Sequence, residues 1–246
     1  MKIPSYEAAP FPVRQDITDA HRLAWRRLAQ PGTWFSGEKR VAIAAEARNA
    51  LNCPLCRERK AALSPRGVKG DHTSLGGLPD PVVEIVHHVR TDPGRITKAW
   101  FDEIVPGSVD DTSYVEIISV VTLVVGIDVF SRGIGVESHP LPDSEAGEPS
   151  RDRPASASLD GAWVPMIAVD VSEGPEADIY GTRGFVPNIR RALSLVPDSV
   201  RLLNALGAAH YFDFDEMMDV TRGRAISRTQ VELIAGRVSA INECFY

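Results

Sequence analysis

The sequence predicts an all-α protein, and two observations carry that prediction. Apolar residues recur at helical spacing along most of the chain, between recognisable helix start and stop signals. Strand-period alternation of comparable strength occurs nowhere. With 246 residues, 43% hydrophobic and 24% charged, the chain has the composition of an ordinary globular protein and is long enough to bury a core.

Taken in order, residues 16–30 read as a short amphipathic helix stopped by Pro31-Gly32. A second helix begins near Ser36, with Glu38 in its first turn, and runs to about Leu51. Its Ala-rich middle (Val41-Ala42-Ile43-Ala44-Ala45) suits close helix packing. Pro79-Asp80-Pro81 opens a helix through Val89, and 96–105 gives another. The clearest element starts at Ser113, which forms a capping-box pattern with Glu116. An apolar run over 115–130 follows, Gly133 and Gly135 end it, and it is expected to be the most buried helix.

From 138 to 184 the chain is rich in Pro, Ser, Asp and Gly and reads as a linker or long loop. Helical pattern resumes at Pro187-Asn188 and continues through 200–212 and 214–220. A last helix begins at Ser227 and places Val231, Ile234, Val238 and Ile241 on one stripe. The spacing from Ser36 to Cys53 equals that from Ser227 to Cys244, which suggests a duplicated unit. The expected organisation is a first helical unit over 1–137, a linker over 138–184 and part of a second unit over 185–246.

Net charge is −6, so no electrostatic pull toward nucleic acid or an anionic membrane is expected. The most apolar stretch, 117–127, is well short of the roughly 20 residues that cross a bilayer. The N-terminus lacks the apolar core of a signal peptide, and a cytoplasmic location is expected.

Cys53-Pro54-Leu55-Cys56 is the motif with the most chemistry in it. Proline favours the first position of a helix and pushes the preceding residue toward extended angles. The second helix should therefore end near Asn52 and a new one start at Pro54, with Cys53 at the N-cap and Cys56 in the first turn. A thiol there feels the positive end of the helix dipole, which favours the thiolate. Arg57, Arg59 and Lys60 add positive charge nearby. Two intervening residues let the pair close as a disulfide once one sulfur has been oxidised. Half a zinc site is the main alternative. It needs four ligands, only Cys244, His72, His87 and His88 stand out to complete it, and they show no finger-like spacing. Redox chemistry is therefore preferred, with no metal or cofactor expected. A thioredoxin fold is disfavoured because its βαβ context is missing.

These residues resemble the alkylhydroperoxidase D-like and carboxymuconolactone decarboxylase superfamily, whose pattern is a glutamate-bearing helix, a break, and Cys-x-x-Cys followed by His. Residues 114–135 look like the closing helix of such a unit, and 184–192 with 227–246 like the entry to another. The resemblance implies an AhpD-like helical bundle and a peroxidase-type redox site. In the second unit Glu232, twelve positions before Cys244, matches the family's proton-relay glutamate, and Asn242-Glu243-Cys244 matches the start of its motif. In the first unit both cysteines are present, but Val41 occupies the glutamate position, Leu55 an inner His position and Lys60 the outer His position. Glu38 or Glu46 could substitute for the glutamate. The chain stops at Tyr246, one residue before the expected partner of Cys244, and the resemblance leaves two readings open: a UGA-encoded selenocysteine read as a stop, or a degenerate tail that became a packing helix.

The catalytic residues expected are thus Cys53, Cys56, Cys244 and Glu232. The activity expected is reduction of a peroxide or a disulfide, with an external dithiol as reductant. Two alternatives are cofactor-free acid/base chemistry of the decarboxylase kind and a non-catalytic binding role. In the latter the 231/234/238/241 stripe docks to a partner or a second copy, and a homo-oligomer is expected. His87, His88 and His210 lie on predicted helices and are assigned no role.

Overall fold

The computed structural model describes residues 2–171, 173–180, 186–213, 216–217, 219–242 and 244. It is about half helical, and among the described residues no strand is present, only one antiparallel bridge between Ser158 and Met166. The all-α class is therefore correct. Nine helices are described: α1 (Gln15–Ala29), α2 (Gly37–Asn49), α3 (Pro54–Ala61), α4 (Asp80–Thr91), α5 (Lys98–Ile104), α6 (Asp111–Gly133), α7 (Asn188–Arg191), α8 (Pro197–His210) and α9 (Arg228–Ile241). The pattern expected over 214–220 falls partly outside the described residues.

The core is built on α6, which packs against α2 and α4, while α1 bridges α2 and α8. Its buried Val115, Ile117, Val120, Val121, Val124 and Ile127 meet Trp25 and Leu28 of α1, Ile43 of α2 and Ile85 of α4 in one hydrophobic cluster. By length and composition α6 could cross a membrane. Here it is the core helix of the bundle.

The start of α6 differs from the capping box expected at Ser113. Asp110 is the N-cap, and its carboxylate accepts from the Ser113 backbone N–H at 2.7 Å and the Ser113 hydroxyl at 2.9 Å. Glu116 is turned fully into the core instead, where it pairs with Arg40 of α2 and accepts the Trp34 backbone N–H at 2.6 Å. A buried carboxylate needs such partners, and these outweigh the local cap. Gly32 is required beside it, because a Cβ there would overlap the Glu116 carboxylate.

Among the described residues of 138–184 there is no helix, as their composition predicts, yet they do not hang free as a spacer. Val164, Ile167, Ile179 and Tyr180 are buried in the same cluster as α1 and α6. The Trp25 indole donates to the Pro140 carbonyl at 2.9 Å, and backbone bonds join Glu145 to Ala29 and Arg151 to Thr33. Helix α9 follows Ser227, the start the sequence suggests, and a capping box between Ser227 and Gln230 closes that end. It buries no residue, and Ile234, Val238 and Ile241 of its stripe are exposed.

Candidate functional site

The Cys-Pro-Leu-Cys segment has the local geometry that proline dictates. Helix α2 tightens into a single 3-10 turn over Ala50–Asn52, Cys53 is extended (φ −68°, ψ 121°) as the N-cap, and Pro54 opens α3. Cys56 falls in the first turn. Both thiols are free and buried.

Two histidines far along the chain complete the site. The connection from α3 to α4 folds back over the cysteines and brings His72 Nδ1 to 3.5 Å from both sulfurs. Helix α4 contributes His87, whose Nδ1 lies 3.2 Å from Cys56 Sγ. The four ligand atoms all lie within 4.8 Å of one another. The sequence argument set the histidines aside because they lack finger-like spacing; the fold brings His72 and His87, two of the three it named, to the Cys pair all the same. His88, next to His87, faces away and meets the Trp100 ring edge-on.

Each imidazole is held from behind by a carboxylate. His87 Nε2 is 2.8 Å from Glu46 of α2, and His72 Nε2 is 2.8 Å from Glu84 of α4. Glu46 is almost fully buried and accepts further hydrogen bonds from Asn49 at 2.8 Å, the Ser74 hydroxyl at 3.0 Å and the Leu75 backbone N–H at 3.0 Å. Glu84 is bonded by Arg59 at 2.9 Å and by the Trp100 indole at 3.0 Å. Of the two expected substitutes for the family's glutamate, Glu46 is at the site, whereas Glu38 is exposed. Of the three cations after the motif, Arg59 reaches the site. Arg57 bonds the Asn52 carbonyl and Lys60 the Thr91 carbonyl.

These contacts set the protonation states. Burial pushes the Cys56 thiol up, but His72 and His87 together draw it down to about 6. Burial opposes ionisation of Cys53 too, yet the Cys56 and Thr73 backbone N–H groups and His72 leave it below the usual thiol value. Burial disfavours the charged form of His72, but the Cys56 sulfur and Glu84 raise it to about 10. His87 is raised against its own burial by Cys56 and Glu46. Glu84 and Glu46 lie below the ordinary carboxylate range because their hydrogen bonds overcome burial. These shifts favour a thiolate at Cys56 beside a protonated His72, with His87 raised in the same direction.

Cys56, Arg59, His72 and Glu84 line a cavity of about 520 Å³ that extends toward Trp100. Cys53 and His87 lie behind that wall.

The second pair of expected residues stands elsewhere. Glu232, on α9, accepts from the Tyr211 hydroxyl at 2.5 Å and from Arg228 at 2.7 Å and is exposed. Cys244 is exposed beyond the end of the same helix. Neither touches the Cys53–Cys56 cluster. Sequence reasoning named His72 and His87 only as possible zinc ligands, gave them no catalytic role, and missed Glu84 altogether. Glu84 and His87 carry a readable signal, since residues three apart share a helix face.

No family model, curated protein or solved structure matches the chain.

Proposed function

We propose that the protein is a thiol-dependent peroxide or disulfide reductase of the alkylhydroperoxidase type, with Cys56 as the attacking sulfur and Cys53 as its resolving partner. The observation that carries this reading is the position of Cys56, between two carboxylate-held imidazoles at 3.5 and 3.2 Å and on the wall of a cavity that can admit a substrate. An ionised sulfur is the species that attacks both peroxides and disulfides.

The steps follow from that placement. The Cys56 thiolate attacks one peroxide oxygen, so that an S–O bond forms as the O–O bond breaks. The departing alkoxide takes a proton from His72, which shares the cavity wall, and leaves as an alcohol. The Cys53 thiol then attacks the sulfenic sulfur of Cys56: the S–S bond forms as the S–O bond breaks, and the hydroxyl leaves as water with the Cys53 proton. An external dithiol restores the pair by exchange. Glu84 and Glu46 fix the ring orientations and keep the outer nitrogens protonated.

Single serine variants with a sulfenic-acid trap test the assignment. Cys53→Ser should accumulate trapped sulfenic acid at Cys56, and Cys56→Ser should lose rapid peroxide consumption. Undiminished consumption by the double variant would exclude this mechanism and point to acid/base chemistry without thiols.

A further inference from the structure

The two cysteines and two histidines also have the arrangement of a closed metal site. We propose that Cys53 Sγ, Cys56 Sγ, His72 Nδ1 and His87 Nδ1 bind one Zn²⁺ tetrahedrally, and that the metal-bound and disulfide forms exclude each other. The metal site stands on geometry alone. The exclusion rests in addition on the redox reading above.

Three observations support it. The first is separation. Zn–S bonds of about 2.3 Å and Zn–N bonds of about 2.0–2.1 Å at tetrahedral angles place sulfur and nitrogen ligands about 3.6 Å apart. Three of the four sulfur–nitrogen distances here are 3.5, 3.5 and 3.2 Å, and no pair of the four atoms exceeds 4.8 Å. The second is orientation. Both rings turn Nδ1 inward toward the sulfurs and give Nε2 to a carboxylate at 2.8 Å, the outer support that metal-bound histidines usually have. The third is enclosure. Cys53, Cys56, His87 and Glu46 are buried and His72 is nearly so, which suits a four-ligand site without an open position.

Charge and softness select the ion. Two thiolates and two neutral imidazoles neutralise a divalent cation and match zinc, whereas carboxylate-seeking Mg²⁺ and Ca²⁺ have no oxygen ligand among the four. The zinc-bound sulfurs cannot pair. Oxidation takes two electrons from the two thiolates and breaks the peroxide O–O bond. With two protons taken up, it yields the disulfide, an alcohol and water, and it releases Zn²⁺.

Co²⁺ serves as the visible probe on the reduced full-length chain, without oxygen. One equivalent should give the intense d–d bands of tetrahedral cobalt with a thiolate charge-transfer band, and Zn²⁺ should displace it. His72→Gln should weaken binding at least tenfold, while His88→Gln should leave the bands unchanged. X-ray absorption of the zinc-loaded wild type guards against variants that misfold, and should show two sulfur and two nitrogen scatterers. Absence of the bands, or a shell of nitrogen and oxygen only, would overturn the site. Peroxide treatment of metal-free and zinc-loaded protein is run in parallel. Disulfide formation without zinc binding removes the metal site alone, and zinc binding without disulfide formation removes the redox reading and the exclusion with it.

Discussion

His87 Nε2 and a Glu46 carboxylate oxygen lie 2.8 Å apart, with neither side chain more than 1% exposed. The pair ties α2 to α4 directly behind the Cys56 sulfur, so its charge state bears on both stability and reactivity.

For stability, the two groups act on opposite sides of the pH scale. Glu46 is depressed, so its contribution is present above the ordinary carboxylate value and is lost as pH falls through its lower folded value. His87 is raised, so its contribution is complete below about 6.5 and is lost as pH rises through its higher folded value. Glu46→Gln in the metal-free protein should therefore lower the unfolding free energy most between those limits, by about 3 kcal/mol. Denaturant unfolding at several pH values measures it. A uniform loss at every pH would deny the pair an ionic role.

Thiol reactivity gives a second prediction. Alkylation of Cys56 in metal-free protein should rise through a midpoint at about 6, below the usual thiol range. His72→Gln should move that midpoint upward by at least one unit, because one of the two imidazoles that favour the thiolate is gone. Residue-resolved alkylation kinetics provide the curve. An unshifted midpoint near that of a free cysteine would show that the imidazoles do not ionise the sulfur.

The Cys motif was legible in the sequence because its geometry is local. Proline at 54 sets the break, the N-cap and the first turn without help from the rest of the chain. Ser36 and Ser227 announce α2 and α9 for the same reason. What remained hidden depends on chain return. His72 lies 16 residues and His87 31 residues beyond Cys56, and only the packing of α4 on α2 and α3 brings them back. Glu116 shows the converse failure, since a local capping pattern yielded to Arg40 across the core. For the described residues of 138–184, composition revealed the lack of helix but not the burial of Met166, Ile167 and Tyr180.

That core carboxylate supports a third prediction. Glu116→Gln should destabilise the fold by about 3 kcal/mol, since it breaks a buried ion pair and leaves Arg40 without its partner. Gly32→Ala should cost about 2 kcal/mol by overpacking against the same carboxylate. Both changes are far from the thiols, so thermal unfolding should shift while the Cys56 alkylation midpoint stays in place. A shift in that midpoint would show that the two regions are coupled.

The redox assignment itself is tested most directly by a brief peroxide pulse on the reduced, metal-free chain, followed by alkylation and peptide mass spectrometry. The predicted result is a Cys53–Cys56 disulfide that forms much faster than a free cysteine reacts, with Cys244 still alkylated. If Cys53 and Cys56 stay reduced while Cys244 alone is oxidised, the proposed redox centre is wrong.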